Sequence, residues 1–371
     1  MGKQLPAAVA ETQARCCFAV IAASTRSAHT RCGFTSHLPR ALASHQPARF
    51  AAARQAVACN AAFLGAMLAT YEGAGVPDHL RVPPRDQCAS MNRPTPGESE
   101  KVRYVLRNLV RDWCGEGEEE RRQCYAPLLA ALSRHVAPYN GPPAAPPRVL
   151  VPGAGLGRLC CELAGAGYSA EGCEVSYYML LASSFLMNVL GGGDDVPVHT
   201  IHPWVLHTCN NVLGGDPLRG LAVPDVRACT LVATAPPQGL GMAAGDFGEV
   251  YAAPEYAGEF DAVVTCFFID VTHNVLHTID VIAAALKPGG VWVHQGPLLY
   301  HWADAHTYLD TNELSIELPL EDVKAAALAA GFEVLEEGSV ECRYADNRRG
   351  MMHTVYNCAS WTMRKKPMTW Q

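Results

Sequence analysis

Three short runs of residues carry the chemistry that this sequence offers. The first is Gly153-Ala154-Gly155-Leu156-Gly157-Arg158, which directly follows the apolar run Arg148–Val151. At a strand-to-helix turn, glycines let a ligand approach the backbone, and the helix N-terminus presents free N–H groups. Dinucleotide enzymes use the same kind of turn with the spacing G-x-G-x-x-G. Here the third glycine follows after a single residue, a spacing that favours S-adenosylmethionine over a dinucleotide. Glu174 ends the next apolar run, where a carboxylate can accept hydrogen bonds from both ribose hydroxyls. That acid is common to both cofactor classes, so the glycine spacing decides. The second run, Gly245-Asp246-Phe247, sets an acid and an aromatic ring where they can flank an adenine.

The third run ends at Asp270, after the apolar stretch Phe260–Phe268, and has a counterpart in His301, which follows the apolar run Gly290–Gln295. Ligands of open α/β sheets bind at the carboxyl ends of strands. Neighbouring strands would therefore aim Asp270 and His301 into one cleft. Plainer roles compete with these. Asp270 can cap a helix starting near Thr272, Asp246 can be a simple N-cap, Glu174 a solvated strand end and His301 a loop histidine. His273 and His277 stand four apart with no Glu between them, so the zinc-protease pattern is absent and no metal is expected.

The elements that must hold these residues alternate. From Arg148 onward, strands are expected at Arg148–Val151, Ser169–Glu174, Phe260–Phe268, Gly290–Gln295, Phe332–Leu335 and Tyr356–Arg364. Helices are expected at Leu156–Ala166, His273–Leu286 and Leu320–Ala330. That alternation predicts an α/β fold, a Rossmann-like, mostly parallel sheet wrapped on both faces. The final two strands lack an intervening helix and predict an antiparallel edge strand. Leu286-Lys287-Pro288-Gly289-Gly290 is a turn that recurs ahead of the fifth strand in methyltransferase sheets. Gly191–Ala244, rich in Gly and Pro, reads as a long functional loop or insertion.

Upstream, helices are predicted over Arg49–Tyr71, from about Ser99, and from Glu118 to about His135, with a Pro-rich loop between the first two. The break GPPAAPP at 141–147 marks a boundary, giving a helical extension over 49–140 and a catalytic domain over 148–371. The segment 1–48 stands apart. From Met1 to Tyr71 the single acid is Glu11, against Lys3 and six arginines, a bias that matches an organelle transit peptide. The net charge of −7 argues against nucleic acid as the main partner. No apolar run is long enough to span a membrane. The 15 cysteines include no Cys-x-x-Cys pair and make an odd total, which fits free thiols in a reducing compartment.

Several longer stretches resemble the carnosine N-methyltransferases, a class I methyltransferase family with an added helical region. They are VLVPGAGLGRL (149–159), GCEVSYYMLLASSF (172–185), AGDFGEVY (244–251), TCFFIDVTHNV (265–275), GPLLYH (296–301) and NELSIELPLEDV (312–323). The upstream VRDWCGEGEEERRQCY (110–125) is similar to the family's helical region. The resemblance implies methyl transfer from S-adenosylmethionine to the imidazole Nπ of carnosine, giving anserine. It implies Gly153, Glu174, Asp246, Phe247 and Cys266 around the cofactor, Arg111 on the cofactor carboxylate, and Asn108 where the family has Gln. It also implies Asp270, His301 and Tyr356 on the imidazole-bearing substrate, with Tyr344 in the same pocket. Thr354 stands where the family has a further tyrosine. An imidazole attacking through Nπ must carry its proton on Nτ, and a carboxylate at Asp270 suits that demand. A histidine in a peptide or protein makes the same demand, so both acceptors stay open. A cytosolic and nuclear location completes what the resemblance implies; a homodimer is a separate expectation.

Overall fold

The computed structural model describes residues 46–72, 96–142, 144–193, 196–237, 239–304 and 314–367. Residues 1–45 of the transit-like segment 1–48, most of the Pro-rich loop and part of the 312–323 motif lie outside the described residues. The chain opens with three helices, α1 (Gln46–Ala69), α2 (Pro96–Trp113) and α3 (Glu118–His135). Then come β1 (Arg148–Pro152), α4 (Arg158–Gly165), β2 (Ser169–Glu174) and α5 (Tyr177–Ser184), followed by β3 (His199–Ile201), β4 (Leu221–Val223) and α6 (Ala228–Leu231). The remainder is β5 (Leu240–Ala244), α7 (Phe247–Tyr251), β6 (Phe260–Cys266), α8 (Val275–Ala285), β7 (Leu286–Gly296), α9 (Leu320–Ala329), β8 (Phe332–Arg343) and β9 (Val355–Lys365).

Seven strands form the main sheet in the order β5-β2-β1-β6-β7-β9-β8. The first five run parallel, as right-handed crossovers through flanking helices require. β9 is antiparallel to both neighbours, β7 and β8. The last two strands thus form an antiparallel pair at one edge of the sheet, as expected, with β8 outermost and β9 joining it to β7. The residues explain the order. β9 brings Cys358, Trp361 and Met363 to the core, while β8 carries Glu333, Glu336, Glu337 and Glu341. Charged side chains suit an exposed edge and deter pairing with another chain.

The sheet is covered on both faces. Leu150, Val263 and Trp292 pack with Ile279 and Ile282 of α8 and Val323 of α9. Val149, Val151, Val264 and Val293 point the other way, onto Leu128 and Leu132 of α3. Successive strand side chains alternate faces, so each strand feeds both layers. α3 is thus a covering helix of the sheet rather than a separate appendage. The Gly191–Ala244 stretch is not one loop. It contains the β3–β4 ribbon, packed against Phe63 of α1, and ends in β5, a sheet strand that its small residues concealed.

Candidate active site

The C-terminal turn of α2 is fixed before the cavity is built. Trp113 Nε1 donates to the Leu156 carbonyl at 3.1 Å, tying α2 to the glycine turn. Arg121 donates to the carbonyls of Arg111 and Cys114 at 2.7 and 3.0 Å, and to Asp225 at 2.6 Å. Arg158 reaches the Asp112 carbonyl and the same Asp225 carboxylate at 2.8 and 2.9 Å. Two buried guanidiniums sharing one acid satisfy the carbonyls that a helix end leaves unpaired. Arg111 is thereby held over the carboxyl ends of β1 and β6.

A cleft of about 380 Å³ opens there. At one end lie Gly153, Gly155, Glu174, Asp246 and Phe247. Gly153 has φ +64°, and a Cβ on it would come within 2.6 Å of the Phe268 ring, so only glycine fits. Glu174 accepts from Gly155 N at 2.8 Å and Ser176 N at 2.7 Å. Burial pushes its carboxyl up, and the N–H groups of Ser176, Gly155 and Val175 pull it back. Asp246 does cap α7, accepting from Glu249 N at 3.1 Å, and it also lines the cleft, so the plain and functional roles coexist. Phe247 is buried, stacked on Tyr251 and set edge-on to Phe268.

Arg111 lies between the two ends. It is 6% exposed, ion-paired to Asp112 at 3.3 Å, and its guanidinium carbon is 4.5 Å from the Tyr344 ring centre. Cys266 ends β6 and receives Arg111 Nη2 at 3.7 Å; a thiol contact with Cys124, then burial, raises its pKa. Arg111 Nε is buried without a hydrogen-bond partner. A buried donor left unmade is costly, so this orphan suits an acceptor group of a ligand.

The other end of the cleft is formed by Tyr104, Phe267, His273, His301, Trp302 and Tyr344. His273 stacks on Trp302 with ring centres 3.9 Å apart, and Trp302 Nε1 donates to the Val271 carbonyl at 3.0 Å. Phe267 sits at φ +52° with its ring 4.8 Å from Tyr344. A bulky residue at positive φ marks strain held by its surroundings, a feature that clusters at functional sites. Asn108 receives Tyr344 Oη at 3.2 Å and donates to the Tyr104 carbonyl at 2.9 Å.

Three expected site residues stand off the wall. Gly157, at φ +76°, shapes the turn into α4 and does not line the cleft. Asp270 is 2% exposed and lies behind His301. Its carboxylate accepts from Leu299 N at 2.8 Å, and its carbonyl from His301 N at 2.9 Å. Burial raises the Asp270 carboxyl, opposed by the Leu299 N–H and by His301. It does not cap α8, a place taken by Asn274, which accepts from His277 N. Tyr356 packs edge-on to Phe267 at 5.6 Å, one layer out. Tyr104, Phe267 and Trp302 are wall residues that the sequence did not single out, and His273, weighed there only against a metal pattern, joins them. Among the described residues, no cluster of three His, Cys, Asp or Glu could hold a metal.

A glycine turn on β1, an acid on β2 and a cleft over the strand ends define a doubly wound α/β protein with a small-molecule site. A family model described as carnosine N-methyltransferase matches residues 89–367, and the chain belongs to that family. It is 39% identical over 269 residues to the carnosine N-methyltransferase of Rattus norvegicus, covering 72% of this chain and 64% of that one. With its counterpart in Schizosaccharomyces pombe it shares 37% over 269 residues, 71% and 70% of the two chains. Among solved structures, a Haemonchus contortus phosphoethanolamine N-methyltransferase 2 in complex with S-adenosyl-L-methionine is similar at TM-score 0.39 and 13% identity. That match covers 74% of this chain and 58% of the other.

Proposed function

We propose that this protein moves the methyl group of S-adenosylmethionine to the imidazole Nπ of a histidine-containing dipeptide, carnosine to anserine in type. The observation that carries the reading is one continuous cleft. It joins the Gly153–Glu174–Asp246 end, suited to a nucleoside, to the aromatic His301–Trp302–Tyr344 end, suited to a flat ring. The residues present fit the cofactor. Glu174 offers carboxylate lone pairs to ribose hydroxyls, Phe247 a ring beside adenine, and the orphaned Arg111 Nε a donor for a carboxylate.

When bound, S-adenosylmethionine supplies an electrophilic sulfonium methyl. The chain's own work is to bind, align and exclude water, which provides most of the rate in a displacement of this kind. His301 meets the imidazole face of the acceptor. Asp270 acts from behind it: its carboxylate fixes the Leu299–His301 segment and adds negative potential as the acceptor ring becomes cationic. Tyr344 and Phe267 close the side of the ring, with Tyr356 supporting Phe267.

A dipeptide suits the cleft better than a protein chain. The β3–β4 ribbon of the 191–244 stretch packs against α1, β5 joins the sheet, and no residue of the stretch lines the cleft. The cytosol and nucleus are the proposed compartments; a fluorescent fusion of residues 1–50 that enters an organelle would overturn that. Among the described residues, no helix is long and apolar enough to cross a membrane. The activity test is transfer from labelled S-adenosylmethionine to carnosine, homocarnosine, Gly-Gly-His and a denatured proteome side by side. Label on dipeptide Nπ is expected. Label in protein alone would replace the dipeptide with a protein histidine.

A further inference from the structure

Tyr344 leads into the β8–β9 connection, and something must hold that connection against the cleft. The tether comes from α3. Glu120, only 3% exposed, accepts Ala345 N on one carboxylate oxygen at 2.8 Å and Asp346 N on the other at 2.9 Å. Ala345 sits at φ +48°, a left-handed conformation that an alanine enters only at a cost. Two charge-assisted bonds to consecutive amides are enough to hold such a turn. Immediately before it, Tyr344 is delivered beneath the Arg111 guanidinium and against Phe267, its hydroxyl on Asn108.

We infer that Glu120 is a positioning residue: it pins the left-handed turn at Ala345 and thereby sets Tyr344 as the wall of the acceptor end. Glu120 itself does not line the cleft. The sequence disguises it among the acids Glu118, Glu119 and Glu120, which read simply as favourable charge at a helix N-terminus. The inference rests on the function proposed above for its kinetic consequence, but the tether has a readout of its own.

The experiment compares Glu120→Gln with the unaltered full chain. Hydrogen exchange over the peptide holding Ala345 and Asp346 is expected to accelerate about tenfold or more, because the carboxamide keeps one acceptor oxygen and turns an NH2 donor toward the other amide. The KM for carnosine is expected to rise about tenfold, with the Kd for S-adenosylhomocysteine within about twofold. In a Tyr344→Ala background, Glu120→Gln should raise KM no further, because a residue that acts through Tyr344 has nothing left to position. Unchanged amide exchange, or a full KM increase in the Tyr344→Ala background, overturns the inference. A change in cofactor Kd as large as that in KM also overturns it. If Glu120→Gln does not fold, Glu120→Asp, which keeps the charge but shortens the reach, is measured by the same criteria. If the unaltered chain methylates no imidazole acceptor, the proposed function fails, while the exchange result still decides whether Glu120 pins the turn.

Discussion

The two ends of the cleft are built by different means. The nucleoside-facing end comes from three contiguous motifs at the ends of β1, β2 and β5, and its polar contacts are largely to backbone: Gly155 and Ser176 amides on Glu174, the Glu249 amide on Asp246. The acceptor end is assembled from α2, the segment after β6, the segment after β7 and the turn after β8. Around it, Phe267, Tyr300 and Ala345 all hold positive φ without being glycine. A cofactor shared across a fold can be met by local backbone geometry. A particular acceptor needs side chains from distant segments, and the strain that holds them is spread over the neighbouring structure.

If this contrast is right, damage at one end should leave the other's affinity nearly intact. The largest separation is expected from Gly153→Val. Its Cβ would collide with Phe268 at a left-handed position, and overpacking of that kind should weaken S-adenosylhomocysteine roughly a hundredfold, measured by calorimetry. Next comes Phe267→Ala, which removes the ring between Tyr344 and Tyr356. It should raise the carnosine KM about tenfold and leave the cofactor Kd unchanged in titrations.

A separate effect concerns the layer supporting the acceptor end and bears on stability alone. His294 on β7 is fully buried, its ring 4.0 Å from Trp361 and its Nδ1 2.9 Å from Thr265 Oγ1, and burial pushes its pKa down to about 3. The unfolded chain protonates this ring near its ordinary 6.5 while the folded chain does not. Stability from this group is therefore present above 6.5 and is lost as pH falls toward about 3, at up to ~1.4 kcal/mol per pH unit. Denaturant titrations should show that acid limb flattened in His294→Gln.

Much of this was legible in advance, for reasons visible in particular residues. β2 and α3 fall where apolar patterning and end signals place them, Ser169–Glu174 and Glu118–His135. β5 was hidden because Leu-Gly-Met-Ala-Ala offers neither β-branched residues nor alternation. β8 extends to Arg343 rather than Leu335 because an edge strand tolerates Glu-Glu-Gly-Ser, which reads as a loop. The nucleoside-facing motifs announce themselves because glycine and acid spacing is local. Tyr104 gives no such sign, being one aromatic among the charges of α2. Trp302 could have been found from its place beside His301. Asp270 was expected against the substrate and lies one layer behind, because tertiary packing, not sequence order, decides which of His301 and Asp270 faces the cleft.

The most direct test of a cleft with two independently built ends is a paired measurement on Glu174→Gln and Asp270→Asn. Each variant is assayed for S-adenosylhomocysteine Kd and for steady-state transfer to carnosine. A crossed result is expected. Glu174→Gln weakens cofactor binding about tenfold or more with little change in carnosine KM, and Asp270→Asn lowers kcat about a hundredfold with cofactor Kd intact. Parallel losses of both quantities in both variants would contradict it.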